Sequence, residues 1–200
     1  MRQSEVLEKL GPLIKAPTFT SAEAQIRGVS PSHLAYYIRT GAIERIGHGV
    51  YRSKVAPTLD DFRWEDLYEA VSRVKDGTVC LITALAIYDL TEEIPRQHWI
   101  AISNQTRHRS SSDVRIIRMR NTSLGKTTIK IGSLELPIFD KERCIVDAFR
   151  YSTIEIALKA LRRAYAKNGK DKIDVEKIKR YAKVLRVQKR ITPYLISVTT

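Results

Sequence analysis

Two neighbouring stretches of the chain carry side chains that suit contact with nucleic acid. The first stretch mixes hydroxyl, imidazole, phenol and guanidinium groups, at Ser32, His33, Tyr36, Tyr37 and Arg39. The second adds two guanidinium groups and an imidazole, at Arg45, His48 and Arg52. Guanidinium groups bind phosphates, whereas hydroxyls and aromatic rings hydrogen-bond to bases and sugars or stack on them. We therefore predict that both stretches contact double-stranded DNA.

The residues around the first stretch predict a helix that would present it. Ser30 is a preferred N-cap, Pro31 suits the first helical position and Gly41 suits the residue after a helix end. Leu34 and Ile38, four residues apart, are expected to face inward. One of the two adjacent tyrosines is also expected to pack inward, and the sequence leaves open which one.

The flanking residues predict the rest of a winged helix-turn-helix. Thr20-Ser21-Ala22-Glu23 is a capping box that opens a preceding helix, and Gly28 gives the turn a permissive backbone. Residues 42–52 predict a tight two-stranded hairpin directly after the recognition helix. In this fold the recognition helix enters the major groove, and the hairpin, or wing, lies against the backbone.

The charge of the chain supports a polyanionic partner. The formal net charge is +13 over 200 residues, with a pI near 9.9. Residues 1–54 contribute +4, residues 55–140 contribute −1 and residues 141–200 contribute +10. No apolar run approaches the roughly 20 residues of a membrane span, and the N-terminus lacks a signal-peptide pattern, so we expect a cytoplasmic protein.

The rest of the sequence predicts an α+β fold with a mixed α/β C-terminal domain that ends in basic helices. We assign residues 1–54 to the winged helix-turn-helix and residues 63–200 to the second domain, with a linker around the Asp60-Asp61 pair. Apolar patterns predict helices over 64–74 and 78–90, a mixed sheet over about 98–138 and helices over about 142–198. Ser152-Thr153-Ile154-Glu155 is a second capping box, and Tyr165 falls on the apolar stripe of the helix that it opens.

The C-terminal helices carry a second set of candidate anion contacts. These basic residues recur at helical spacing, at Lys159, Arg162, Arg163, Lys167, Lys179, Lys183, Arg186 and Arg190. Like charges so placed repel one another, and a bound nucleic acid or other anion would stabilise them. A solvated helix face explains them equally well. Arg107-His108-Arg109 is read as an exposed, mobile loop.

Signals for catalysis, metals and cofactors are weak. Asp140, Glu142 and Asp147 form the one carboxylate grouping near basic residues, and no partner motif supports a metal nuclease. The four histidines show no ligand spacing, and no glycine-rich phosphate loop is present. Cys80 and Cys144 are interpreted as buried hydrophobic residues. We expect a protein that is not an enzyme and that needs no cofactor or metal.

Several segments together resemble the AbiEi family of antitoxins. The segments lie in order along nearly the whole chain, at residues 41–52 (with Gly47-His48-Gly49-Val50-Tyr51), 80–91, 94–102 (with Ile94-Pro95-Arg96-Gln97-His98-Trp99), 144–149, 181–183 and 193–195. The resemblance implies a transcriptional autorepressor and antitoxin of a type IV toxin–antitoxin, abortive-infection phage-defence operon. Such a protein would bind inverted repeats upstream of its operon through the winged helix, cooperatively, as a monomer in solution.

The resemblance further implies that the protein counteracts a nucleotidyltransferase toxin without forming a stable complex. It assigns DNA contact to the eight residues of the two stretches described first. His48 departs from the arginine common at its position, which would weaken a phosphate contact near neutral pH.

Two alternatives belong to other functional classes. The first is an RNA- or tRNA-directed binding protein or nuclease that uses the basic C-terminal helices as its principal site. The second is a direct protein inhibitor that clamps its toxin. The first would depend on the C-terminal cations rather than on Arg39 and Arg45, and the second would co-purify with its toxin.

Overall fold

The computed structural model describes residues 3–16, 18–54, 62–131, 134–169 and 172–199. The chain forms two compact units, residues 1–75 with 130–134, and residues 76–129 with 135–200. This division extends the first unit beyond residue 54, where the sequence-based domain ended. The predicted domain limits stay predictions. The predicted linker lies outside the described residues.

The first unit combines helices with a small antiparallel sheet. Its elements are α1 (Gln3–Ile14), β1 (Phe19–Thr20), α2 (Ser21–Ile26), α3 (Pro31–Arg39), β2 (Ile43–Gly47), β3 (Val50–Ser53) and α4 (Phe62–Ser72). The strands lie in the order β1-β3-β2, with Thr20 opposite Val50 and Glu44 opposite Arg52. The helix predicted over 64–74 is α4, which begins and ends two residues earlier.

Local sequence explains how these elements begin. Thr20 forms the predicted capping box: its hydroxyl accepts from the Glu23 backbone, and the Glu23 carboxylate accepts from the Thr20 N–H at 2.7 Å. An apolar core packs α1, α2 and α3 against the sheet. Its buried members include Leu10, Phe19, Leu34, Tyr37 and Ile43.

The second unit contains helices and a five-stranded mixed sheet, although residues 130–131 of β7 and Leu134 of β8 fall in the first unit. Its elements are β4 (Thr78–Val79), α5 (Leu81–Ile87), β5 (His98–Ser103), β6 (Val114–Met119), β7 (Lys126–Ile131), β8 (Leu134–Phe139), α6 (Lys141–Tyr151), α7 (Ile154–Ala166), α8 (Val175–Val184) and α9 (Gln188–Thr199). The strand order is β6-β5-β4-β8-β7, with β5 parallel to β6 and β4 parallel to β8. The mixed α+β class predicted from the sequence is confirmed.

The helix predicted over 78–90 is wrong at its start. Thr78 and Val79 form β4 instead, opposite Ala101 and Ile100 of β5. The α5 helix begins only at Leu81, whose φ is +48°. A short apolar run does not distinguish a buried strand from a buried helix, and here the run contains both.

Two details of the predicted α7 are also wrong. Thr153, not Ser152, is the N-cap, because its hydroxyl accepts from the Ile156 N–H. Tyr165 was placed on the buried stripe but is 39% exposed. The buried face of α7 consists of smaller residues, at Ala157, Ala160, Leu161 and Ala164.

A buried arginine links α6 to the loop between β6 and β7. Arg143 is fully buried, and its Nε donates to Asp147 Oδ2 at 2.7 Å. Its two other nitrogens donate to the backbone oxygens of Leu124 at 2.7 Å and Asn121 at 2.9 Å. A buried charge is tolerated only when its donors are satisfied in this way.

No helix within the described residues has the length and apolar character that crossing a bilayer requires.

Candidate nucleic-acid interface

The α3 helix is held at both ends by the residues that the sequence singled out. The Ser30 hydroxyl accepts from the His33 N–H at 3.4 Å, and Pro31 occupies the first helical position. Gly28 and Gly41 adopt φ of +75° and +74°, which glycine reaches without steric cost. The helix therefore has the predicted limits, with Thr40 as its C-cap.

The buried side of α3 differs from the prediction. Tyr37 is only 4% exposed and packs with Leu34 in the core, whereas Ile38 is 36% exposed. Tyr36 is half-buried and meets the Tyr37 ring edge to face, with 5.3 Å between centroids. Leu34 and Tyr37, three residues apart, thus form the inward pair, and the larger ring fills the core. The outward placement of Tyr37 is corrected, and the expectation that one of the two tyrosines packs inward is confirmed.

The exposed side of α3 begins with a chain of polar groups. The Ser30 hydroxyl lies 2.8 Å from the Ser32 hydroxyl and 2.9 Å from Nδ1 of His33. These contacts fix the orientation of the half-buried His33 ring at the helix N-terminus. Ser32 and Arg39 are exposed. The described residues that this face offers to a ligand are therefore Ser32, His33, Tyr36 and Arg39.

The hairpin docks directly on the end of α3. The Ala42 N–H donates to the Tyr37 backbone oxygen at 3.0 Å, and β2 begins at the next residue. At the tip, Arg45 Nε donates to the Gly47 oxygen at 3.1 Å, and its Nη2 lies 3.3 Å from Nδ1 of His48. Because arginine only donates, Nδ1 is the acceptor in this pair and Nε2 carries the proton. Arg45 and His48 thus share the exposed tip.

Arg52 does not belong to this exposed set. Its Nε donates to Glu44 Oε1 at 2.6 Å across the hairpin, and its Nη1 is bound to the Glu69 carboxylate of α4. Two carboxylates surround one guanidinium, so the local charge is not positive. These ion pairs argue against the predicted phosphate contact of Arg52, and the sequence gives no sign of the Glu69 contact.

The basic residues of α7 are partly engaged. Lys159 and Arg162 are exposed, whereas Arg163 Nη1 lies 3.1 Å from Glu92 Oε1. Lys167 Nζ donates to the Tyr88 oxygen at 3.0 Å and to Asp89 at 3.2 Å. The predicted stripe on this helix therefore reduces to two side chains without a described partner.

The basic residues of α8 and α9 concentrate around one turn. Lys179 pairs with Glu176 at 2.7 Å, whereas Lys183, Arg186 and Arg190 are exposed. Arg186 has φ of +59° in the turn that ends α8, where the Val187 N–H donates back to the Ala182 oxygen at 2.8 Å. Glycine is the usual residue at such a position, so the arginine is unusual there.

The carboxylates considered for catalysis have structural contacts. Asp140 caps α6, with Oδ1 accepting from the Arg143 N–H at 2.8 Å and Oδ2 from the Tyr181 hydroxyl at 2.9 Å. Lys177 Nζ lies 3.1 Å from Asp140 and 3.2 Å from Glu142. Burial lowers the pKa of Lys177, but its hydrogen bonds and charge interactions with these carboxylates outweigh that effect and raise it. No cluster of three metal-ligating side chains occurs among the described residues.

The two cysteines are buried and unpaired. Burial, reinforced by the nearby charge of Asp147, raises the pKa of both the Cys80 and the Cys144 thiol. The Cys144 thiol lies 3.3 Å from the Phe139 backbone oxygen, to which it donates. This agrees with their interpretation as small hydrophobic side chains.

The first unit contains a helix-turn-helix type domain. Residues 13–54 match the family described as transcriptional regulator, AbiEi antitoxin. The match confirms the resemblance over the segment that holds α2, α3 and the hairpin. No curated protein matches the chain.

A solved structure has a similar fold. The chain resembles the crystal structure of the RV2827C protein from Mycobacterium tuberculosis, with a TM-score of 0.63 and 13% identity. The similarity covers 98% of this chain and 76% of that one. At this identity the likeness concerns the fold alone.

Proposed function

We propose that the first unit is a winged helix-turn-helix that binds operator DNA, and that the protein is a transcriptional autorepressor and antitoxin. The observation that carries the proposal is the geometry of one segment: α3, with Ser32 and Arg39 exposed, runs directly into a hairpin whose tip exposes Arg45 and His48. The AbiEi family match covers this same segment. In the proposed complex α3 lies in the major groove and the tip contacts the backbone.

Each exposed group has a distinct role in this proposal. Arg39 and Arg45 contact phosphates, and each contributes through counterion release. Ser32, His33 and Tyr36 face base edges and sugars, with His33 oriented by the Ser30 hydroxyl. Cooperative binding at inverted repeats, which the resemblance to the AbiEi family implies, is part of the proposal.

The finer biological role is part of the same proposal. The protein acts in the cytoplasm within a type IV toxin–antitoxin, phage-defence operon, has no enzymatic activity, and counteracts a nucleotidyltransferase toxin without a stable complex. The support for this part is the family description of residues 13–54, antitoxin and transcriptional regulator.

The test is a fluorescence-anisotropy titration of the full chain at several salt concentrations. The duplexes are the DNA upstream of its own gene and a scrambled version. We expect a preference of about a thousandfold or more for the upstream duplex, lost in Arg39→Ala/Arg45→Ala. The matched control, Arg96→Ala/Lys126→Ala, removes the same charge from two exposed side chains of the second unit. Equal binding of both duplexes, or equal losses in both variants, would contradict the proposal.

A second candidate site lies at the turn between α8 and α9. Left-handed backbone at a residue other than glycine costs about 1–2 kcal/mol, and Arg186 adopts it beside the exposed Lys183 and Arg190. An RNA-directed function would use this turn. It predicts that Lys183→Ala/Arg186→Ala reduces binding of single-stranded RNA more than Arg39→Ala/Arg45→Ala does, with anisotropy as the measurement.

A further inference from the structure

The loop between β5 and β6, which the sequence predicts to be exposed and mobile, makes hydrogen bonds to the neighbouring strand. Arg118 of β6 reaches back and donates to the backbone oxygens of Thr106 at 2.6 Å and His108 at 2.9 Å. At the other end of the loop, Gln97 Nε2 donates to the Ser111 oxygen at 2.9 Å. The loop is therefore held at two points.

Further hydrogen bonds fix the serines that close the loop. The Ser110 hydroxyl accepts from the Ile116 N–H at 3.1 Å, and the Ser111 N–H donates to the Val114 oxygen at 2.9 Å. The Ser111 hydroxyl donates to Asp113 at 2.7 Å. The carboxylate of Asp113 is thus tied to the closing turn.

The loop and Arg118 line a shallow, widely open concavity of about 520 Å³, and the four residues that line it are basic. The residues that line it are Arg107, His108, Arg109 and Arg118. Arg107 and Arg109 are exposed and have no described partner. Arg118 uses two of its five N–H donors on the loop backbone, so three remain. Three guanidinium groups and an imidazole therefore lie beside one concavity.

We propose that this concavity binds the terminal phosphate or diphosphate group of a small molecule. Arginine matches phosphate oxygens with two parallel hydrogen bonds, and a terminal phosphate offers three oxygens and nearly two negative charges. The His108 ring is fixed because its Nδ1 lies 2.8 Å from the Arg109 backbone oxygen, which can only accept.

The arrangement of these side chains favours a small phosphate compound over a nucleic-acid backbone as the ligand. Backbone phosphates of a duplex are each singly charged and spaced along a line, and they are met by cations along a face. Here three guanidinium groups and the His108 imidazole, from three successive loop residues and one strand residue, lie beside a single concavity. The proposal is independent of DNA binding by the first unit.

The experiment is isothermal titration calorimetry of the full chain with pyrophosphate, adenosine 5′-monophosphate and adenosine. We expect one site per chain for the two phosphates and none for adenosine. Arg107→Ala/Arg109→Ala should weaken both phosphates about tenfold or more, because each guanidinium supplies charge-assisted hydrogen bonds. Arg107→Lys/Arg109→Lys should weaken them less, since charge is kept while the planar fork is lost.

Two controls make the result specific. Lys159→Ala/Arg162→Ala removes the same charge from exposed residues of α7 and should leave the affinity nearly unchanged. Arg39→Ala/Arg45→Ala should bind pyrophosphate like the unmodified chain. Circular dichroism checks that each variant is folded.

Three outcomes would overturn the proposal. The first is that neither phosphate binds, and the second is that the α7 and loop variants lose the same affinity. The third is that the loop variant loses duplex affinity in anisotropy while the unmodified chain binds no small phosphate, which would assign the loop to DNA.

Discussion

Arg52 Nε lies 2.6 Å from Oε1 of Glu44 on the opposite strand of the hairpin. The same guanidinium is bound to Glu69 of α4, so it joins the hairpin to that helix within the first unit. Partly exposed ion pairs of this kind stabilise a protein by about 0.2–1 kcal/mol each. Arg52 is therefore a structural residue, although its sequence position suggested a phosphate contact.

Arg52→Gln should lower the free energy of unfolding slightly and leave DNA affinity unchanged. We expect a loss of roughly 1 kcal/mol, because two pairs are removed and both are partly solvated. Urea denaturation measures the loss, and anisotropy with the upstream duplex measures the affinity. A change in the salt dependence of binding would show that Arg52 reaches a phosphate after all.

Arg39→Ala should have the opposite effect, with unchanged stability and weaker DNA binding. The side chain is exposed with no described partner, so unfolding should be unaffected within about 0.5 kcal/mol. The slope of log affinity against log salt should fall by about one, because one phosphate contact is lost. An unchanged slope would place Arg39 away from the DNA.

Alanine substitutions at Tyr37 and Ile38 test which face of α3 is buried. Tyr37→Ala should destabilise the first unit by about 3–5 kcal/mol, since a buried ring is removed from the core. Ile38→Ala should cost much less, because that side chain is 36% exposed. Chemical denaturation followed by circular dichroism compares them, and a larger loss for Ile38 would reverse the assigned faces.

This pair shows what the sequence could and could not predict. Local signals gave the limits of α3 and the capping box at Thr20, because caps and glycine turns depend on residues close in the chain. Which neighbour fills the core depends on the shape of the surrounding residues. Helical spacing allows either Tyr37 or Ile38 to share the buried face with Leu34. In the structure Tyr37 is the buried one.

The sequence also predicted the local features of the candidate site but not its contacts with distant residues. Ser32, Arg39 and Arg45 were found because their exposure follows from helix and hairpin geometry. The sequence does not predict the Glu69 partner of Arg52 or the loop contacts of Arg118, because these partners lie 17 and up to 12 residues away in the sequence. Such contacts are set by tertiary structure, although the three closely spaced basic residues at 107–109 were a signal for the loop pocket.

Both thiols should resist alkylation in the folded protein. Cys80 and Cys144 are buried, and burial raises their pKa, so the reactive thiolate is scarce and inaccessible. Mass spectrometry after iodoacetamide treatment at pH 8 should find neither modified without denaturant and both modified in urea. Rapid modification of either cysteine in the native state would show that the second unit opens locally.

The buried pair Arg143–Asp147 should control the stability of the second unit. Arg143→Met removes the guanidinium that hydrogen-bonds to Asp147, and removing one partner of a buried ion pair costs about 3–5 kcal/mol. Asp147 Oδ1 already has no hydrogen-bond partner, although Arg150 lies 3.7 Å away. Urea denaturation at pH 7 measures the loss. Arg143→Met/Asp147→Leu should recover part of it.

The same pair predicts how that loss depends on pH. Burial raises the pKa of Asp147, against the opposing effect of Arg143, so the folded state binds this proton at a higher pH than the unfolded chain does. The contribution of Asp147 to stability therefore increases as the pH falls from neutrality through its folded pKa toward its unfolded value.

Arg143→Met removes the opposing charge and raises the pKa further, so its stability deficit should shrink between pH 7 and pH 5. Arg143→Met/Asp147→Asn, which has no proton to bind at this position, is the control and should lack that recovery. An equal deficit at both pH values would mean that Asp147 does not titrate in this range in the folded variant.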